Sequence, residues 1–225
     1  MTLQAKGLSK RYGRGRTGTR AVDGADFIAR PGEFVLIQGP SGSGKTTLLA
    51  MLAGLMTPDA GQLRLSGARL TGQSSAVLAN MRRQNVGFVF QDFRLLANLT
   101  ARENVEVALN LRSIGGRRAR RMAVDALSSV DLADRAHLLP DQLSGGEKQR
   151  VAIARAIGHR PKVVFADEPT ANLDTASGKR AASLLSAFSH RGGTVVVVSH
   201  DERLAVFADR IYTMADGRLR PAQEG

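Results

Sequence analysis

The chain has 225 residues, 43% hydrophobic and 23% charged, with 32 Lys and Arg against 20 Asp and Glu for a net charge of +12. That length and balance suit one sizeable domain with its own core, and the absence of cysteine excludes disulfides and thiolate metal sites. The four histidines are scattered, which argues against a histidine metal cluster, and no apolar run approaches the ~18 residues of a membrane-spanning helix.

Taken in order, Leu3 to Leu8, Arg20 to Ala29 and Glu33 to Gln38 read as strands, separated by Gly13, Gly15, Gly18 and the Pro31-Gly32 turn. The first residues, Met1 to Lys6, lack the apolar stretch of a secretory leader. Lys45 to Leu55 predicts a helix ending near Gly54, and Gln62 to Leu70 predicts two small strands around Ser66-Gly67. Ser75 to Gln84 is helical in pattern, and Val86 to Phe90 is a further strand. Apolar spacing makes residues 92–143 mostly helical, with breaks at Gly115-Gly116 and Pro140. This block falls between two core strands, as an inserted helical subdomain would. Gly146 to Gly158 reads as a helix, and Thr175 to His190 as another. Lys162 to Ala166 and Thr194 to Ser199 are continuous apolar strands, the pattern of a parallel sheet covered on both faces, and Thr194 to Ser199 is the last core strand expected. His137, His159 and His190 belong to no motif and are expected at the surface.

The basic excess concentrates at Lys10 to Arg20 and at Arg112 to Arg121. Solvated surface, anionic lipid and nucleic acid all fit such charge. With eight Phe, two Tyr, no Trp and no aromatic residue interleaved with the arginines, the pattern argues against nucleic acid.

Gly39-Pro40-Ser41-Gly42-Ser43-Gly44-Lys45-Thr46 satisfies G-x-x-x-x-G-K-[ST] between a buried strand and a helix. The glycines let successive N–H groups turn inward and, with the helix N-terminus, form an anion site. Lys45 is expected on the β- and γ-phosphates of a nucleotide, and Thr46 on Mg²⁺. Val163 to Ala166 is an apolar strand ending in Asp167-Glu168. Ligands of open α/β sheets sit beyond the carboxyl ends of the strands, so Asp167 is placed for the metal shell and Glu168 to polarise an attacking water. Leu143-Ser144-Gly145-Gly146-Glu147-Lys148-Gln149-Arg150 opens the next helix. Ser144 is a good N-cap and the two glycines expose N–H groups at the positive end of the dipole. Alone this is an ordinary glycine-rich cap or a second phosphate site.

Together these motifs resemble the nucleotide-binding domain of the ABC ATPases, over nearly the whole chain. Residues 39–46 match the family's Walker A motif, 163–168 its Walker B and following glutamate, and 143–150 its signature. Tyr12 matches the aromatic residue that stacks on adenine, although an edge-strand aromatic would look the same. Gln91 matches the Q-loop glutamine, Ala171-Asn172-Leu173-Asp174 the D-loop, and His200 the switch histidine at a strand end. The resemblance implies an α/β fold: a P-loop NTPase core with a mainly parallel sheet, an N-terminal antiparallel β subdomain and an inserted helical subdomain. In those terms residues 1–91 and 160–225 form the core and 92–159 the helical subdomain of a single domain. It implies ATP and Mg²⁺ as cofactors. Tyr12, residues 39–46, Thr47, Ser144, Gly145, Gly146 and Asp174 would hold nucleotide, Thr46, Gln91 and Asp167 the metal, and Glu168, His200 and Gln91 would serve hydrolysis.

The family's partners would be a second copy of the subunit, arranged head to tail with each ATP between Walker A of one chain and the signature of the other, and transmembrane permease subunits, at the cytoplasmic face of the cell membrane. A permease segment would dock beside residues 92–104, where Phe93, Leu95, Leu96 and Leu99 either line a groove or pack inward. Phe90 to Leu96, Leu99 to Val105 and Ala166 to Asp174 resemble the lipoprotein-release, macrolide-export and cell-division branch, which usually has Gly where Ala171 stands. An importer subunit is the alternative. A nucleic-acid ATPase of this family would carry a longer insertion between Walker A and the signature.

Overall fold

The computed structural model describes residues 3–13 and 18–222. Arg14, Gly15 and Arg16 of the first basic segment lie outside them. Two sheets form. The smaller is antiparallel, in the order β2-β1-β4-β5, from β1 (Leu3–Tyr12), β2 (Thr19–Ala29), β4 (Ala60–Leu65) and β5 (Ala68–Arg69). The larger runs β10-β9-β3-β8-β7-β6, from β3 (Phe34–Gln38), β6 (Val86–Val89), β7 (Val163–Asp167), β8 (Thr194–Ser199), β9 (Arg210–Ala215) and β10 (Arg218–Pro221). It is parallel except at the β9–β10 hairpin.

The central strands are apolar at every core position because both sheet faces are covered. Val35, Ile37, Phe165, Val196 and Val198 point to one side and pack with Leu48, Leu49 and Leu52 of α1 (Lys45–Leu52) and with the inner face of the antiparallel sheet, through Leu3, Leu8 and Phe27. Phe34, Leu36, Val164, Val195 and Val197 point to the other. There they meet α3 (Ala101–Asn110), α4 (Gly116–Ser128), α5 (Gly145–Ile157) and α6 (Thr175–His190). The helices inserted between β6 and β7 therefore share a core with the sheet. Gly87 allows this closeness: a Cβ there would collide with the Ala156 carbonyl of α5.

The helix starts follow local capping chemistry. Thr100 and Glu103 form a reciprocal capping box at α3, Ser144 and Glu147 another at α5, and Asp174 caps α6. Ser74 caps α2 (Ser75–Asn85), accepting from Val77 N at 3.4 Å.

Three expectations need correction. Residues 92–100 are not helical: Phe93 and Arg94 adopt φ of 58° and 47°, and the helix begins only at the Thr100 cap. Thr194 to Ser199 is not the last core strand, since β9 pairs in parallel with β3 and turns into β10 at Asp216-Gly217. His159 is not at the surface. It is 7% exposed, and its Nε2 donates to the Val86 carbonyl at 3.1 Å. His137 and His190 are exposed as expected.

Burial, and then the nearby Arg112 guanidinium, hold His159 at a pKa of about 4. Its neutral form is therefore the folded form. The unfolded chain takes up a proton near the ordinary histidine value of about 6.5, before the folded chain does, so stability falls as pH drops from there toward 4. Between pH 7 and pH 5 the loss from this one group is expected to be about 2 kcal/mol. Urea unfolding of His159→Gln at the two pH values checks it: the substitution should flatten that part of the pH dependence, and an unchanged slope would remove His159 as its source.

Candidate functional site

Parallel register decides where the motifs meet. Gln38 pairs with Ser199, Asp167 with Val198 and Val89 with Ala166, so β3, β8, β7 and β6 end along one edge of the sheet. The segments that follow them, residues 39–46, 90–94, 168–174 and 200–201, leave from that edge.

The loop at 39–44 needs its glycines. Gly42 and Gly44 adopt φ of 77° and 103°, and a Cβ at Gly44 would collide with the Ala21 carbonyl. The Lys45 side chain, 6% exposed, folds back to donate to the carbonyls of Gly39 and Pro40 at 2.8 Å each. Ser43 Oγ is buried inside the loop with no hydrogen-bond partner. A glycine-rich loop, an orphaned hydroxyl and a cation at a helix N-terminus together fit a chain of phosphates. Tyr12, 46% exposed at the end of β1, stands over this helix with its hydroxyl 3.4 Å from Thr47 Oγ1 and 3.3 Å from Met56 Sδ.

The Thr46 hydroxyl donates to Asp167 Oδ1 at 3.2 Å. Burial raises the Asp167 pKa, opposed chiefly by that hydrogen bond, with the Glu168 charge raising it further. Paired hard oxygens, one on a carboxyl group that burial biases toward its neutral form, suit a divalent cation such as Mg²⁺, which would favour the charged form. Glu168 adopts a φ of 46° and anchors its N–H to the Val198 carbonyl at 2.9 Å. Its carboxylate accepts from Ser199 Oγ at 2.7 Å and from His200 Nδ1 at 2.9 Å. Asp201 then ties the end of β8 to the segment after β7. It accepts from Thr170 Oγ1 at 2.8 Å and from Arg203, and the Arg203 hydrogen bond, above all, holds its pKa down at about 2.

Two groups of residues emerge. Lys45, Thr46, Asp167, Glu168 and His200 are linked through the strand ends, with Thr47 and Tyr12 beside them. Gln91 is exposed two residues after the end of β6. Ser144, Gly145 and Gly146 belong to the second group, at the start of α5. The Ser144 side chain caps the helix, Gly145 lies against Leu173, and Gly146 lies against Ser177. Asp174 accepts from the Ser177 hydroxyl and from Ser177 N, the latter at 2.9 Å, and the hydroxyl first, then the N–H, lowers its pKa. No hydrogen bond joins this second group to residues 39–46 among the described residues.

Two side chains of α5 connect the groups, and sequence reasoning overlooked both. Gln149, 1% exposed, donates to the Pro169 carbonyl at 2.6 Å. Arg155 donates to the carbonyls of Phe93 and Arg94 at 2.6 Å each. Burial pulls the Arg155 pKa below its ordinary value. The signal for Arg155 was a cation on an otherwise apolar helix, Val151 to Ile157. Of the four apolar residues expected near residues 92–104, Leu95 packs against the core and Leu96 is 49% exposed.

The profile of the ABC transporter family matches residues 22–171. An ABC transporter ATP-binding protein of Methanocaldococcus jannaschii is 43% identical over 217 residues, spanning 96% of this chain and 97% of that one. The macrolide export ATP-binding/permease protein MacB of Chlorobaculum tepidum is 42% identical over 96% of this chain, which spans 33% of that longer protein. Among solved structures, the dimeric ATP-binding cassette MJ0796 in a post-hydrolysis state with ADP and Pi superposes with a TM-score of 0.91 at 38% identity, covering 99% of each chain. No helix among the described residues is long and apolar enough to cross a membrane.

The Arg155 contacts make a measurable demand on the apo protein. Arg155→Leu leaves the Phe93 and Arg94 carbonyls without their donors and is expected to cost about 1–3 kcal/mol in urea unfolding. Amide exchange should quicken selectively over residues 92–97. Exchange there at the wild-type rate would show that Arg155 does not hold the segment.

Proposed function

The chain belongs to the ABC transporter family, as an ATP-binding and ATP-hydrolysing subunit that energises a membrane transporter, and on that premise we propose how its residues divide the work. The observation that carries the proposal is the junction of Thr46, Asp167, Glu168 and His200 at the ends of β3, β7 and β8. Residues 39–46 cradle the phosphates, with Lys45 leaving its own loop carbonyls for the β- and γ-phosphate oxygens. Tyr12 stacks on the adenine and Thr47 lines the phosphate site beside it. Thr46, Asp167 and Gln91 would hold Mg²⁺, which would supply charge neutralisation at the phosphate oxygens.

Glu168 orients a water and takes its proton as the water oxygen attacks the γ-phosphorus. The bond to the β-phosphate oxygen breaks, leaving ADP and inorganic phosphate. Ser199 holds one carboxylate oxygen of Glu168, so the side chain stays aimed while its other oxygen is engaged by His200. In this reading His200 gives up that contact for the γ-phosphate when nucleotide is bound, which frees the base. Removal of such a base costs roughly 10²–10⁴-fold in rate.

Ser144, Gly145 and Gly146 have no hydrogen bond to their own chain's phosphate loop, and this separation supports a role in trans. They present N–H groups to the γ-phosphate held by a second copy, arranged head to tail, with Asp174 beside that junction. Closure excludes water and strengthens every charged contact at the phosphate. Hydrolysis then removes the bridging charge, and ATP biases an open–closed equilibrium whose motion is the output. The division into a core of residues 1–91 and 160–225 and a helical part of 92–159 matches this motion. The membrane partner is a permease seated beside residues 92–104 at the cytoplasmic face. The similarity to MacB supports an exporter or envelope machine as the assembly it drives.

Glu168→Gln should keep ATP affinity, abolish turnover and accumulate an ATP-dependent dimer in light scattering. Near-wild-type turnover would remove Glu168 from its role, and a monomer that binds ATP but never dimerises would remove the head-to-tail reading. Lys45→Ala should lose ATP binding; an unchanged affinity would undercut the phosphate-loop assignment.

A further inference from the structure

The proposed function leaves much of the charge unused. At the opposite edge of the parallel sheet, where β6 and β7 begin, lies a depression of about 590 Å³. Four cations from three separate segments line it: Arg83 at the end of α2, Arg112 in the turn after α3, and Arg160 and Lys162 between α5 and β7. The side-chain amides of Asn80 and Gln84 add further donors, and no Asp or Glu is among its lining residues. β7 spans five residues from here to Asp167, so the depression is on the order of 15 Å from the nucleotide edge.

The positions are built rather than incidental. Arg112 Nη1 donates to the His159 carbonyl, which fixes its guanidinium at the rim. Arg83 Nη2 donates to Asn80 Oδ1 at 3.1 Å. The Lys162 N–H is held by the Asn85 carbonyl at 2.9 Å, which ties the two sides of the depression together. Ser113 also lines it, and α4 starts three residues later with Arg117, Arg118, Arg120 and Arg121 all exposed. Among the described residues, none of these arginines nor Lys162 pairs with a carboxylate, although nine other Lys and Arg side chains do. Converging like charges with no counter-charge repel one another, and a multiply charged anion between them relieves that repulsion. Guanidinium groups offer paired donors that match phosphate oxygens. The lining carries no aromatic ring on which a base would stack.

We propose that this depression binds a phosphate-bearing anion, separately from the nucleotide site, as either the headgroup of an anionic lipid or a free polyphosphate. Both sources share the recognition chemistry: several phosphate oxygens held between arginine and lysine donors.

Net charge alone would draw this protein to anionic surfaces, so the test must separate place from charge. The triple variant R83Q/R160Q/K162Q is compared with R64Q/R69Q/R220Q, which removes the same charge from exposed positions elsewhere. Both are assayed with saturating ADP to occupy the phosphate loop. Co-sedimentation with phosphatidylglycerol/phosphatidylcholine vesicles reads the lipid arm, and equilibrium dialysis of pyrophosphate reads the free-anion arm. The depression variant should lose at least about tenfold in affinity in one arm, with its melting temperature and basal ATPase rate unchanged, while the control loses no more than about twofold. Loss confined to vesicles assigns a lipid headgroup, and loss confined to pyrophosphate assigns a soluble anion. Equal losses in the two triple variants, or no binding of the wild-type protein to either probe, would overturn the site.

Discussion

Everything at the site depends on the parallel pairing of β3, β8 and β7. A shift of one residue in that register would turn each inward side chain to the opposite face. It would also move Asp167 away from Thr46. Because these strands are buried on both faces, their alternate residues bind two different layers, and neither layer tolerates the shift. The core thus holds the strand ends flush, and the loops that leave them converge where the Thr46–Asp167, Glu168–His200 and Thr170–Asp201 hydrogen bonds fasten them. The left-handed backbone at Glu168 is kept in place by the same ladder, through the Val198 carbonyl.

The helical layer is joined to this edge through α5. Its N-terminus carries Ser144 to Gly146, Gln149 reaches the segment after β7, and Arg155 reaches the segment after β6. A helix transmits displacement along its axis because its backbone hydrogen bonds resist bending. Phe93 and Arg94 are therefore connected to the helix that carries the glycine pair by hydrogen bonds rather than by loose packing. The two carbonyls held by Arg155 belong to left-handed residues, which is why that stretch cannot continue as helix.

Charge is sorted along the β6 and β7 side of the sheet, while Glu33 and Asp209 stand where β3 and β9 begin. Carboxylates gather at the edge where the strands end, each held by a hydroxyl, a histidine or an arginine. Unpaired cations gather at the edge where they begin. The net charge of +12 is therefore not an even coat.

The phosphate loop, the acidic end of β7 and the glycine pair were legible because each is local: a short motif with a required strand before it or helix after it. Most elements were legible for the same reason, from apolar spacing and caps such as Asp174 at α6. β9 was missed because its run is short and only Tyr212 and Met214 are buried, alternating with exposed Thr213 and Ala215, so it resembles a surface loop until β3 pairs with it. Residues 92–100 were misread because their apolar spacing fits a helix, while the Arg155 contacts that oppose one come from about sixty positions away in the chain. His159 was misplaced because nothing beside it in sequence shows that α5 and β6 close over it. The sequence by itself determined the chemical groups and the strand, loop and helix that carry each, since those follow from neighbours within a few residues. Only the tertiary structure decided which groups share an edge, which are kept apart and which charges stay unpaired, because those outcomes depend on sheet register and on packing between segments far apart in the chain.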